Sequence, residues 1–233
     1  MNKTEKEPPH TYTSVAESVF QVERSAWNNC ANFIDDNRNI GNPFLSHEFF
    51  SCLEESGSVS KETGWISQHI LLFEKGNSLI GILPNYLKNH SWGEYIFDQV
   101  FANAWENAGG KYYPKLLSAI PFSPVAGERF LIKKGYSRKF VIEKLLDALE
   151  DLKKFYKVSS AHINFINEQQ LKIALKNKFW FERNNIQFHW SNQDYENFEH
   201  FLSKLSSSKR KTIRRERKEI HKSSVLIDIV KND

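Results

Sequence analysis

The sequence predicts a mixed α/β fold, a sheet flanked by helices in one complete unit followed by the start of a second, and three observations carry that expectation. The apolar pattern reads strand, helix, helix, strand, strand from Val19 to Leu87. A long amphipathic stretch then puts Phe140, Val141, Leu145, Leu146, Leu149, Leu152 and Phe155 on or near one helical face. Finally, the order strand, helix, helix, strand recurs from Ile186 to Val230. With 233 residues, 40% of them hydrophobic and 14% aromatic, the chain has enough apolar surface for one large or two small domains.

Taken in order, residues 1–17 are polar at the start and carry Pro8-Pro9, so they are expected to be disordered. A domain from 18 to 190 follows. Val19 to Glu23 reads as a strand, Ser25 caps a helix holding Trp27, Cys30 and Phe33, and Pro43 opens a second helix through Phe49 and Leu53. His69 to Phe73 and Ser78 to Leu87 flank Glu74-Lys-Gly-Asn77, a hairpin turn by its glycine and asparagine. A helix after Asp98 closes at Gly109-Gly110, an extended run from Leu116 to Ile132 leads into the amphipathic helix, and a strand from Ala161 to Phe165 precedes a helix from Glu168 to Lys176. An Asn184-Asn185 turn is expected to join Phe179-Trp-Phe181 to a strand from Ile186 to Trp190. Residues 191–233 then read as a helical basic segment and an incomplete second domain, ending on a strand from Val225 to Val230.

Charge is concentrated in that last segment. Lys204 to Lys222 hold nine Lys or Arg against two Glu, a net +7, whereas the whole chain is only +4. One basic helix on a near-neutral body points to one anionic partner or to a solvated helix face, not to a surface that coats nucleic acid. No stretch approaches the apolar length of a membrane span, and the chain is expected to be cytoplasmic. Cys30 and Cys52 lack the spacing of a metal knuckle or redox pair and read as buried thiols. No two histidines form a helical ligand pair, so no metal site is expected.

Particular words in the chain are more specific. Asn42-Pro-Phe-Leu-Ser46, Leu53-Glu-Glu-Ser-Gly57, the stretch Tyr86 to Asp98, Tyr112-Tyr-Pro-Lys-Leu116, Pro121 to Gly127, Gln187-Phe-His-Trp190 and Ser207-Ser-Lys-Arg-Lys211 resemble a bacterial family described as peptidoglycan biosynthesis/recognition. The order of elements also resembles the GNAT-type acyltransferase fold, two units of which in tandem are found in Fem-type peptidyltransferases. The resemblance implies an N-acyl or aminoacyl transferase acting on an amine acceptor such as a cell-wall precursor, with acetyl-CoA or another acyl donor as its cofactor. It further implies that this chain lacks most of the second half, as a fragment, a split gene product or a truncated copy, that it is inactive alone, and that a separately encoded C-terminal half is a candidate partner. Acetyltransferases of that fold hold the coenzyme A pyrophosphate on backbone amides before the central helix. The corresponding stretch, Lys133-Lys-Gly-Tyr-Ser-Arg-Lys139, has a single glycine, and Tyr136 and Arg138 would crowd a phosphate.

Within this reading an amine must lose its proton before it attacks, and the candidate bases are Glu94 and, more weakly, His90, at the end of a strand and in its following loop. Trp92, Tyr95 and Phe97 beside Glu94 are expected to raise its pKa by desolvation. Tyr86 and Lys88 precede it, while Tyr112, Tyr113, Lys115 and Arg129 are candidates to line a groove for a sugar or peptide, and His189 to face solvent or the missing half. The alternative for Glu94 and Asp98 is that they cap the next helix. Lys209, Arg210, Lys211, Arg214 and Arg215 are the candidate anion site, for an anionic small molecule, a phosphorylated acceptor or a tRNA. A rival reading of the whole chain is a non-catalytic module that binds a phosphorylated or polyanionic ligand through residues 207–222.

Overall fold

The computed structural model describes residues 5–33 and 41–228. The chain divides into two compact units, one ending at Glu182 and the other beginning at Arg183. In the first unit the strands are β1 (Thr11–Ala16), β2 (Trp65–Ser67), β3 (His69–Glu74), β4 (Ser78–Leu83), β5 (Tyr86–Lys88), β6 (Lys115–Ser118), β7 (Leu131–Ile132) and β8 (Ala161–Ile163). Its helices are α1 (Arg24–Ala31), α2 (His47–Glu55), α3 (Gln99–Asn107), α4 (Arg138–Tyr156) and α5 (Glu168–Ala174). The mixed α/β character read from the sequence is present.

Two four-stranded sheets share one long hairpin. The first has the order β1-β3-β4-β7, all antiparallel; the second has the order β2-β5-β6-β8, with β6 and β8 parallel. Chain direction carries β2 into β3 and β4 into β5, so the hairpin passes from one sheet to the other at Gln68 on one strand and Pro84-Asn85 on the other. Proline lacks the N–H that an unbroken ladder needs. Asn85 holds the bend: its backbone carbonyl accepts from the Gln68 N–H at 2.7 Å, its Nδ2 donates to the Gln68 carbonyl at 3.2 Å, and its Oδ1 accepts from Ser118 Oγ at 3.1 Å. The single strand expected from Ser78 to Leu87 is therefore two.

Helix α4 lies across the first sheet as its period predicts, burying Val141, Ile142, Leu145, Leu146, Leu149 and Leu152 against β3 and β4. Each such side chain contributes roughly 1.5–3 kcal/mol when buried. The approach is closest at Gly81, where an added Cβ would come within 2.5 Å of Val141 Cγ1, so any side chain there would push helix and sheet apart. Phe155, expected on the same face, is instead exposed. On the other side of the hairpin, α1 and α2 enclose Trp27, Cys30, Phe50, Trp65, Ile82 and Tyr86.

Several local expectations are corrected. Thr11–Ala16, in the segment expected to be disordered, pair residue for residue with β3 from Thr11↔Glu74 to Ala16↔His69. Val19–Gln21 form a 3-10 turn, not a strand, because Ser18 Oγ accepts the Phe20 N–H and the Glu54 carboxylate takes the Val19 N–H. Glu23, not Ser25, caps α1 by accepting from the Ser25 and Ala26 N–H groups. Cys30 is buried, and burial pushes its thiol up to about 12, but Cys52 is exposed. Strand β2 was missing from the sequence reading. No regular element joins α5 to the next helix among the described residues, so the hairpin expected around Asn184-Asn185 is absent.

The second unit contains α6 (Phe198–Ser203), capped by Asn197, and α7 (Ser207–Lys222), capped by Ser206. Ile186 to Trp190 and Val225 to Asp228 are not strands. The last two residues of the expected final strand, Ile229 and Val230, lie outside the described residues.

Candidate active site

One face of the second sheet carries the polar cluster. Cross-strand pairing aligns Trp65 with Lys88 and Lys88 with Lys115, and two positions along aligns Ser67 with Tyr86 and Tyr86 with Leu117. Side chains alternate along a strand, so Tyr86 and Lys88 project to the same face as Lys115. The loop from Asn89 to Asp98 folds back over that face and brings its carboxylates to the lysines.

Lys115 is the centre of the cluster. Its ammonium donates to Glu94 Oε2 at 2.8 Å, to Asp98 Oδ2 at 2.6 Å and to Ser91 Oγ at 2.8 Å, with all three charged side chains almost wholly buried. Tyr112 donates to Asp98 Oδ2 at 2.8 Å, and Tyr113 shares a 2.8 Å hydrogen bond with Ser91. The Lys115 Nζ stands 5.6 and 5.8 Å from the two tyrosine ring centres. Asp98 occupies the N-cap position of α3 but makes no capping bond, since its carboxylate is taken by Lys115 and Tyr112. Burial is the largest influence on Asp98 and would raise it, yet the hydrogen bonds from Lys115, Ser91 and Tyr112 and the Lys115 charge together outweigh it and hold the carboxyl below its ordinary range.

Glu94 goes the other way. Burial raises its proton affinity above the ordinary carboxylate value, against the pull of Lys115 and Lys88. The expected direction is therefore found, but its expected cause is not: Trp92, Tyr95 and Phe97 are exposed, and the sheet face with its lysines removes the carboxylate from water. Among the described residues Glu94 Oε1 has no hydrogen-bond partner. A buried carboxylate with one oxygen held and one bare is poised to take a proton.

Lys88 is buried with its Nζ 3.6 Å from the Trp65 ring centre, donating to the Trp92 carbonyl at 3.2 Å. Burial lowers its pKa to about 7, with Glu94 opposing and Lys115 assisting. His90 is lowered by burial and then by Lys88, which leaves a neutral ring near pH 7. Its Nδ1 accepts the Trp92 N–H at 3.1 Å, and its Nε2 lies 3.0 Å from the Thr63 carbonyl, so both nitrogens are engaged in holding the loop.

A cleft of about 490 Å³ opens beside this cluster, lined by Ser58, Thr63, Trp65, His90, Trp92, Gly93 and Phe122. Gly93 makes it possible. It adopts φ +79°, and a Cβ there would meet the Phe122 ring at 2.6 Å. Glu94 is the next residue along. A larger hollow of about 630 Å³, between β1 and the end of α4, has Glu17, Asp151 and Tyr156 as its ionisable lining groups and includes none of the expected site residues.

The structure thus brings together Tyr86, Lys88, His90, Glu94, Tyr112, Tyr113 and Lys115. Tyr86 is wholly buried and packs edge-on to Trp65 and His69, a core role; Tyr112 and Lys115 are likewise buried, not groove-lining. Arg129 is engaged elsewhere: its guanidinium donates to the carbonyls of Asn164, Glu128 and Val125, and burial lowers it to about 10. His189 lies in the second unit, exposed, with Nε2 2.9 Å from Gln187 Oε1. Of the five candidate anion-binding cations, Arg210 and Arg214 are engaged with α6, while Lys209, Lys211 and Arg215 are exposed. Sequence reasoning missed Trp65 and Ser91.

A family model described as peptidoglycan biosynthesis/recognition, the FemAB-like family, matches residues 18–233. The chain belongs to the FemAB-like family. No curated protein matches this FemAB-like chain in sequence. Among solved structures it is similar to an aminoglycoside antibiotic 6'-N-acetyltransferase from Acinetobacter baumannii, at 10% identity and a TM-score of 0.40, covering 78% of this chain and 99% of that one. An acetyltransferase from Trypanosoma brucei is similar at 11% identity and a TM-score of 0.39, covering 78% of this chain and 100% of that one.

The turn expected to cradle a coenzyme A pyrophosphate does not fit that group. The Ser137 N–H donates to the Lys6 carbonyl at 3.0 Å, and the Gly135 carbonyl accepts the Lys6 N–H at 2.8 Å. Tyr136 is buried, its N–H directed at the Lys133 carbonyl at 3.4 Å and its hydroxyl donating to Glu74 Oε1 at 2.6 Å. Of the amides in this turn, the Ser137 N–H is thus taken by the segment preceding β1 and the Tyr136 N–H is directed back into the turn. Among the described residues no helix is long and apolar enough to cross a membrane.

Proposed function

We propose that this FemAB-like chain is an N-acyl or aminoacyl transferase for an amine acceptor, with Glu94 as the proton acceptor. The observation that carries this reading is the buried Glu94 carboxylate, whose proton affinity is raised and whose Oε1 is unpartnered next to an aromatic-lined cleft. An ammonium substrate is inert as a nucleophile; handing its proton to a carboxylate of raised pKa frees the lone pair that attacks the acyl carbon. Lys115 keeps Oε2 in place, so the bare Oε1 is the atom that receives the proton. Trp92 and Phe122 supply apolar walls to the cleft. No step is assigned to coenzyme A.

The test is acyl transfer by the purified protein from acyl-CoA and aminoacyl donors to a panel of amines, including lysine-containing cell-wall peptides, beside Glu94→Gln. The substitution preserves the Lys115 hydrogen bond but removes the proton acceptor, and turnover should fall about 10²- to 10⁴-fold. Equal turnover in both proteins, or none with any donor in the wild type, would defeat the proposal.

A further inference from the structure

We infer that α7 carries a phosphodiester-binding face, formed by Lys211, Arg215, Lys218 and Lys222, suited to the backbone of double-stranded nucleic acid. This does not depend on the role of Glu94. The helix has two cationic rows, and the structure gives them different tasks. Arg210, Arg214 and Arg217 recur at helical spacing and turn to α6. Arg210 Nη1 donates to the carbonyls of Ser203 and Leu205, Arg214 pairs with Glu199, and the Arg217 guanidinium lies 4.4 Å from the Phe198 ring centre. These three hold the helix pair together.

Lys211, Arg215, Lys218 and Lys222 follow the same spacing one residue on, about 100° further round the helix. All four are exposed. Among the described residues Lys211, Lys218 and Lys222 make no ion pair, and Arg215 has a 3.9 Å contact to Glu219. The row is about 16 Å long. A duplex strand places a phosphate about every 3.4 Å along its axis, so the row spans four or five of them. One small anion would leave most of the row unmatched. An anionic lipid surface calls for apolar residues beside the cations, whereas Ile213 and Ile220 lie on the far side of the helix. No Phe, Tyr or Trp lies on α7 and its one ring, His221, is outside the row, so the row's contacts are to phosphate.

The test is fluorescence anisotropy with mixed-sequence DNA and RNA duplexes, titrated with the full chain over a series of salt concentrations. Four phosphate contacts give a slope of log affinity against log salt of about −3 to −4 on DNA. Lys211→Gln/Lys218→Gln should make the slope shallower by about 2 with the circular dichroism unchanged. Arg210→Gln/Arg214→Gln should instead speed hydrogen exchange of the α6 amides. An unchanged slope in the lysine variant overturns the inference, as does tighter binding to phosphatidylglycerol vesicles than to either duplex.

Discussion

Lys88 and Lys115 are direct cross-strand partners on β5 and β6, two ammonium groups facing one another within a buried sheet. Like charges so placed repel. Their neighbours differ: Lys115 holds both carboxylates of the loop, whereas Lys88 has the Trp92 carbonyl and the face of Trp65. Lys115 is thereby held between two carboxylates, while burial lowers the Lys88 pKa to about 7.

Lys88 should make stability depend on alkaline pH. Its folded pKa is lowered to about 7 by burial, and its unfolded value is near 10.5. Between the two, the unfolded chain holds a proton that the folded chain does not, so stability rises with pH from about 7 to about 10. Melting temperatures over that range should show the rise in wild type and its loss in Lys88→Met. Parallel curves for the two proteins would contradict the assignment.

Removing Lys115 should be far more damaging than neutralising Glu94. Lys115→Met leaves two buried carboxylates without their cation and should cost about 3–5 kcal/mol in urea unfolding. Glu94→Gln keeps Lys115 paired with Asp98 and should change stability by less than about 1.5 kcal/mol. The double variant should be more stable than Lys115→Met alone, since one uncompensated charge is gone. Additive losses would show that the pair is not coupled.

Glu54 should govern stability in acid. Burial would raise it, but the facing His69 Nε2 at 3.5 Å and the hydroxyls of Ser18 and Ser67 outweigh burial and bring it down to about 2. A carboxyl held low contributes stability above its unfolded value, 4.5, and loses it as pH falls towards 2. Acid unfolding should therefore be less steep in Glu54→Gln between those values. An equal dependence in both proteins would rule out this role.

The elements that the sequence announces are those whose pattern is local. Helix α4 and the β3–β4 hairpin follow from a 3.6-residue apolar period and a turn containing glycine and asparagine. Glu94, Lys88 and Lys115 stand out because charged residues within apolar runs are unusual. What the sequence hides is pairing. Nothing in Trp65 foretells that it stacks over Lys88, because β2 is only three residues long and its place is set by β5, more than twenty residues on. The basic run likewise reads as one charged surface, and only the position of α6 separates the arginines that pack from the cations that remain outside.

The shared hairpin has a consequence for how the site assembles. Lys88 belongs to the same stretch of chain as Ile82, with only the two residues Pro84-Asn85 between β4 and β5. A slip by a single residue in the core hairpin would be carried through the bend and rotate Lys88 off the face it shares with Lys115. The alignment of the polar face is thus inherited from the apolar core, where Leu71 pairs with Ile82.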